Sequence, residues 1–369
     1  MFKIKTFQIN MQFCSSDEDE EEDPQIKEER KTLFDPYKKL VGRYFATSKA
    51  PGTISKYKGS MDRLQKWAEK VGVCYLPLEL DDCLVYLVYL SEIAESYAAV
   101  KTAKYAIAFA HKCVKSPSPT DDPAVDLVLE AARRKWAHPI KKARPMTVAI
   151  IKMLVDTFLG KDVFRSPGHF QVSVVHWRTV INIVVKFCFI ARNSDVLNLT
   201  RQHFTFVKDL LYVHFPTAKN DQYFEGNTTM FEARGKVYCP VFLTFKYFQR
   251  LGYKANSKGY FLPKVANKKV GRRFGKNIYI QAPVPGQHVS YDTCLKDRRS
   301  LLGQLGLPAK EFTEHSDRSG GISQIVNEGA PLEDAQTHGR WKSLESAKKY
   351  IKKSELKKRK LSRFFFGKD

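Results

Sequence analysis

Residues 169–191, HFQVSVVHWRTVINIVVKFCFIA, are apolar on almost every side of a helical projection. Such a helix belongs at the centre of a domain, with other elements packed around it. Its most apolar part, VINIVVKFCFIA, carries Lys186 and falls far short of the roughly 20 residues that a membrane span needs. The neighbouring patterns supply the packing. Upstream, Thr147 is a good cap for VAIIKMLVDTFLG, with Ile150, Ile151, Leu154 and Phe158 facing inward. Downstream, two β-like runs at 204–215 and 228–241 flank a polar turn, PTAKNDQYFEGN. Helical patterns then dominate, interrupted at 264–277 by a basic, glycine-containing loop suited to phosphate contact.

The first half of the chain is also helical. An amphipathic helix is expected from Thr53 to Val71, with Tyr57, Met61, Leu64, Trp67 and Ala68 on one face. Two more follow, in DDCLVYLVYLSEIAE and in the alanine-rich SYAAVKTAKYAIAFAHKC. A loop, SPSPTDDPA, then leads to PAVDLVLEAARRKW, capped by Thr120 or Asp121. With 369 residues, the chain has room for two cores. The expected organisation is an acidic disordered tail at 1–35, a helical domain at 36–132, a basic linker at 133–146 and a second domain at 147–369.

Charge names the class of partner. Residues 1–30 hold nine acidic side chains against Lys3, Lys5, Lys27 and Arg30, a net of −5, while the whole chain is +23. The remainder therefore carries 23 + 5 = +28, an excess that calls for a polyanion. Seven scattered cysteines include no CxxC pair, which argues against a disulfide framework or a zinc site and for a reducing, intracellular setting. No secretory signal, Walker loop, GxGxxG or HExxH is found.

Several charged residues of the second half stand out. Arg192 follows the buried helix directly, an odd place for a guanidinium without an anionic partner; Asp195, three residues on, is one candidate. Lys219 lies at the turn between the β-like runs. His315 and Arg318 in EHSDRSGG share a face if that segment is helical. Tyr350 ends the pattern GRWKSLESAKKYIKK, where Leu344, Ala347 and Ile351 recur at helical spacing. By itself Tyr350 reads equally as half-buried packing or as a reactive group.

Together these pieces resemble the tyrosine recombinase (phage-integrase) family, from about residue 50 to 360. The family's run of arginine, hairpin lysine, H-x-x-R, histidine or tryptophan, then tyrosine is matched by Arg192 in RNSDVLNL, Lys219 in PTAKND, His315 and Arg318 in HSDR, Trp341 in GRW and Tyr350 in KKY. HSDRSGG and GRWKS look most like the Crypton-type members carried by eukaryotic mobile elements. The resemblance implies a mainly α fold with a small β-sheet (α+β). A helical N-terminal DNA-clamping domain and a catalytic domain would close as a C-shaped clamp on duplex DNA. It implies a site-specific recombinase or integrase that assembles as a homo-tetramer on double-stranded DNA, without metal, ATP or other cofactor. Tyr350 would attack phosphorus to give a 3′-phosphotyrosine, Arg192 and Arg318 would neutralise the phosphate, and His315 would donate a hydrogen bond or manage the tyrosine's proton. Lys219 would protonate the leaving oxygen, and Trp341 would offer its indole N–H.

Asp195 stands where the family has glutamate and keeps the carboxylate that orients Arg192. Asp317 replaces an apolar residue and is placed to compete with the phosphate for Arg318. His338 is held in reserve for the position given to Trp341. Lys56, Arg133, Arg134, Lys141, Lys142, Arg144, Lys268, Lys269, Arg272 and Arg273 are the expected DNA-backbone contacts. KKSELKKRK at 352–360 is a cluster of the nuclear-import type. A type IB topoisomerase and a domesticated, inactive DNA-binding protein are the alternatives; ESAKKY does not fit the topoisomerase lysine-serine signature.

Overall fold

The structure is a computed structural model that describes residues 32–34, 37, 40–45, 47–139, 143–216, 226–235, 237–273 and 276–352; of 272, 273 and 276–279 it describes the backbone alone. The expected acidic tail, Lys141, Lys142, Lys219 and most of the 352–360 cluster lie outside the described residues. The chain divides into two compact units, 1–140 and 141–369.

Unit 1 is built from α1 (Pro51–Val71), α2 (Leu80–Ala94), α3 (Tyr97–Cys113) and α4 (Pro123–Lys135). The apolar face of α1 is the one expected: Met61, Leu64, Trp67 and Ala68 are buried. The alanines of α3 (Ala103, Ala106 and Ala110) let it pack closely into the core shared with Leu87 and Leu90 of α2. The cap of α4 is neither Thr120 nor Asp121. Asp122 accepts from the Ala124 N–H at 2.8 Å, because Pro119–Asp121 is already wound as a 3-10 turn. The basic stretch read as a linker from 133 begins inside α4, where Arg133, Arg134 and Lys135 form the last turn and favour the helix dipole.

Unit 2 surrounds α6 (Val174–Cys188), which packs against α5 (Val148–Phe158), α8 (Pro240–Leu251), α9 (Tyr291–Gln304) and α10 (Ser316–Asn327). Twelve of its fifteen residues are buried, as its all-round apolar pattern demands. Thr147 caps α5 through Ile150 N–H at 3.3 Å. Residues 143–146 run along this unit, with Arg144 N–H on the Glu311 carbonyl and Met146 N–H on the Ser316 carbonyl, each at 2.9 Å.

A short helix α7 (Asn193–Leu197) leads from α6 into a three-stranded antiparallel sheet, β1 (Phe204–Val207), β2 (Leu210–Phe215) and β3 (Asn227–Glu232), in that order. The first β-like run is thus two strands. It breaks at Lys208, whose φ of +51° makes the turn. The second run stops at Glu232, and its Pro240 opens α8. The supposed loop at 264–277 is instead most of a two-stranded ribbon, β4 (Pro263–Arg273) paired antiparallel with β5 (Lys276–His288). Two short helices, α11 (Leu332–His338) and α12 (Leu344–Lys348), close the described chain. No helix among the described residues is long and apolar enough to cross a membrane.

Candidate active site

The site forms where α10 meets the end of α6. Two glycines make the approach possible: a Cβ on Gly320 would stand 2.1 Å from the Met146 carbonyl oxygen, and one on Gly321 2.1 Å from that of Phe187. After α6 the backbone turns through Ile190 at φ +48°, a conformation that a β-branched residue adopts only under strain. That turn points the Ile190 carbonyl at Arg318, whose Nη1 donates to it; Nη2 donates to the Gly339 carbonyl at 2.7 Å.

Arg318 is fully buried, with its guanidinium carbon 3.8 Å from the centre of the Trp341 ring and 5.6 Å from that of Tyr350. The ring centres of Trp341 and Tyr350 are 5.4 Å apart, and that of His315 lies 6.4 Å from that of Tyr350. Tyr350 stands just beyond α12, where its carbonyl accepts from Ser319 Oγ at 2.7 Å. Its ring packs on a small core of Ile190, Ile322, Ala335, Trp341 and Ala347. The packing reading of Tyr350 is therefore correct as far as it goes, and it does not exclude reaction: the ring edges a cavity of about 840 Å³ whose lining includes Arg144, Lys310, His315, Lys349 and Lys352.

Arg192 and Arg318 are joined by a third guanidinium that sequence reasoning passed over. Arg340 is buried against the Phe215 ring at 3.8 Å, donates from Nη1 to Thr229 Oγ1 at 3.1 Å and to the Phe189 carbonyl at 3.3 Å, and stands 3.8 Å from Asp195. Arg192 is likewise 3.8 Å from Asp195, too long for a hydrogen bond. Asp195 is thus the one carboxylate that salt-bridges either, among the described residues. Arg192 Nη1, Arg318 Nε, and Arg340 Nε and Nη2 are buried without a hydrogen-bond partner among those residues. Burial, helped by Arg192 and Arg340, pulls Arg318 down to about 9; burial also pulls Arg340 down to about 10. Buried donors in cationic excess are a receptor for an anion. The one sequence signal for Arg340 is its place beside Trp341 in GRW.

Asp317 does not contest Arg318. It projects to the other side of α10, accepts from Arg298 Nη1 at 2.8 Å and lies 3.1 Å from Lys186 Nζ. Glu314 completes this closed set, pairing with Lys186 and standing 3.3 Å from Arg298. Lys186 thereby finds its place in the last turn of an apolar helix. His315, between the two carboxylates in sequence, is exposed at one edge; partial burial, then Lys186 and Arg318, lower its pKa from the ordinary 6.5. His338 is committed elsewhere, its Nε2 donating to the Cys188 carbonyl at 2.8 Å with the ring stacked on Phe189.

Of the expected DNA contacts, Lys56, Lys268 and Lys269 are exposed, and Arg144 lines the cavity. Arg133 and Arg134 are exposed and each salt-bridges Glu130. Arg272 and Arg273 end β4. Among the described residues, no group of three or more His, Cys, Asp or Glu is placed to hold a metal ion.

Comparison with solved structures finds this architecture repeatedly. The Tn1549 transposon integrase in complex with transposon right end DNA matches over 90% of this chain and 98% of its own, at 15% identity and a TM-score of 0.51. The fold is that of the tyrosine recombinases. XerH site-specific recombinase bound to palindromic difH substrate matches 85% of this chain and 79% of its own, at 11% identity and a TM-score of 0.53. A lambda integrase dimer bound to a COC′ core site matches 88% and 95%, at 13% identity and 0.52. No family model and no curated protein matches the sequence.

Proposed function

We propose that this protein is a site-specific DNA recombinase of a mobile element, joining DNA through a 3′-phosphotyrosine at Tyr350. The observation that carries the reading is the group of buried guanidiniums between Asp195 and Tyr350, with N–H donors left over. A phosphodiester gains negative charge as a fifth oxygen approaches phosphorus, and forked donors that are charged at neutral pH meet that charge. Each such group contributes about 3 kcal/mol or more, by analogy with the loss of an oxyanion donor. The Tyr350 oxygen attacks in line, and the phosphorus–oxygen bond to the 5′ side breaks. Lys219 gives the departing oxygen its proton, while His315, neutral at pH 7, takes the phenolic one. Reversal with a different 5′ hydroxyl rejoins the strands. Four protomers on two duplexes complete the exchange, and the basic cluster after Tyr350 directs the protein to a nucleus.

The test is to incubate the purified chain with a pool of nicked duplexes and a second, labelled duplex. A recombinase forms an SDS-stable adduct and transfers strands to the second duplex. Adduct with relaxation of supercoils but no transfer would identify a topoisomerase; tight binding without adduct would identify a DNA-binding protein.

A further inference from the structure

The β4–β5 ribbon is unlike the rest of unit 2. Its base is fixed: Arg178 of α6 donates to the Pro263 carbonyl at 2.8 Å, and Val289 N–H bonds to the Leu262 carbonyl at 2.9 Å. Beyond Val265 no described side chain of either strand is buried, on either face. An isolated two-stranded ribbon is barely stable in water, and eleven residues of β4 at about 3.3 Å each would reach roughly 35 Å. Residues 263–288 hold six lysines and arginines and no aspartate or glutamate. Such a surface has no counter-ion of its own.

The two faces differ. On one, Asn267 stands directly across from Gln281 and Lys269 across from Tyr279; on the other, Ala266 faces Ala282 and Lys268 faces Ile280. The first face thus sets two carboxamides opposite each other next to Lys269, and Gln281 Oε1, itself shielded from solvent, has no hydrogen-bond partner among the described residues. Carboxamides pair in two-pronged fashion with base edges, adenine above all. A two-stranded ribbon fits the major groove, about 12 Å wide, and is too broad for a minor groove of about 6 Å.

We propose that the β4–β5 ribbon lies in the major groove of the bound duplex, with Asn267 and Gln281 turned to the base edges and the ribbon's cations on the flanking phosphates. The ribbon is a recognition arm separate from the chemistry at Tyr350. The proposal rests on the DNA-recombinase reading for its partner, and the experiment keeps the two apart.

Full-length chain is used to select a duplex from a randomised pool, and three proteins are compared on it. These are the unaltered chain, a variant with 266–282 replaced by Asn-Gly, and Asn267→Ala/Gln281→Ala, whose changes lie on the open ribbon. The shortened variant loses five cations, so the slope of log affinity against log salt should flatten by up to about 4.5. The double variant should keep the slope, lose about 5- to 100-fold on the selected duplex and nothing on unselected DNA. The shortened variant should lose protection of guanine N7, a major-groove atom, against methylation, while the double variant, whose ribbon stays in the groove, keeps it. An unchanged slope or retained N7 protection in the shortened variant overturns the proposal, as does protection confined to the minor groove. The Tyr350 adduct on nicked DNA is scored in parallel. Its absence from the unaltered chain, with the ribbon's protection intact, refutes the recombinase reading and leaves the groove assignment standing.

Discussion

Asp317→Ala separates two accounts of a residue placed between the histidine and arginine of the site. In the structure Asp317 is fully buried and shares Lys186 and Arg298, themselves 0% and 1% exposed, with Glu314, the one other carboxylate that pairs with either among the described residues; Lys186 also donates to Asn193 Oδ1 and Arg298 to the Thr313 carbonyl. Two cations and two carboxylates form a closed set, in which Asp317 and Glu314 hold the Arg298 pKa above its ordinary value against the opposing effect of burial. Removing Asp317 leaves two buried cations on one carboxylate. Breaking a buried pair in this way costs about 3–5 kcal/mol. For a unit of this size each kcal/mol moves the melting point by about 2–4 °C, so a drop of roughly 6–20 °C is expected. The assay is thermal unfolding by circular dichroism, with adduct formation measured well below the transition. Asp317→Asn, which retains the shape, should lose less. A melting point within 2 °C of the parent, together with faster adduct formation, would refute the account and show that Asp317 competes with phosphate for Arg318.

Further outcomes follow from the same geometry. Arg318→Ala should slow adduct formation by at least 100-fold while DNA affinity falls much less, and EDTA should leave the parent's rate unchanged, because guanidiniums carry the charge. Arg340→Met, which keeps the stem on Phe215, should cost about 1–3 kcal/mol in urea unfolding and more than ten-fold in adduct rate; an unchanged rate would make Arg340 a packing residue only. His315 has its pKa lowered from 6.5, so it stays neutral until the pH falls below that value. The unfolded chain then binds the proton first, so both stability and the adduct rate at limiting DNA should fall only below pH 6.5. A fall beginning above pH 7 in the parent, persisting in His315→Ala, would contradict this.

Much of the architecture could be read from local pattern. The all-round apolar α6, the Thr147 cap and the α1 face needed only periodicity and one capping side chain. What failed needed information from elsewhere. Lys208 and Asp209 divide a run of apolar residues that looks continuous. The β4–β5 ribbon lacks an apolar alternation because neither of its faces packs on a core, so its residues read as loop. In the candidate site, Arg192, Arg318, Trp341 and Tyr350 could be singled out as a set only through the family resemblance; the structure packs Arg318, Trp341 and Tyr350 together. Asp317 was misjudged because its partners, Lys186 and Arg298, come from two other helices; sequence alone does not show which side of α10 it takes. Arg340 was missed for the same reason, since its value lies in Asp195, Phe215 and Thr229.

The central claim is that Tyr350 becomes covalently joined to a DNA 3′ end. Nicked duplex captured by the protein, digested with nuclease and trypsin, should yield one nucleotide-bearing peptide, with the phosphate on Tyr350 by tandem mass spectrometry. Tyr350→Phe, which removes one oxygen and keeps the ring on Trp341 and Ala347, should bind the same DNA and yield none. A nucleotide-bearing peptide from the Tyr350→Phe protein, or one mapped to any other residue of the parent, would contradict the account.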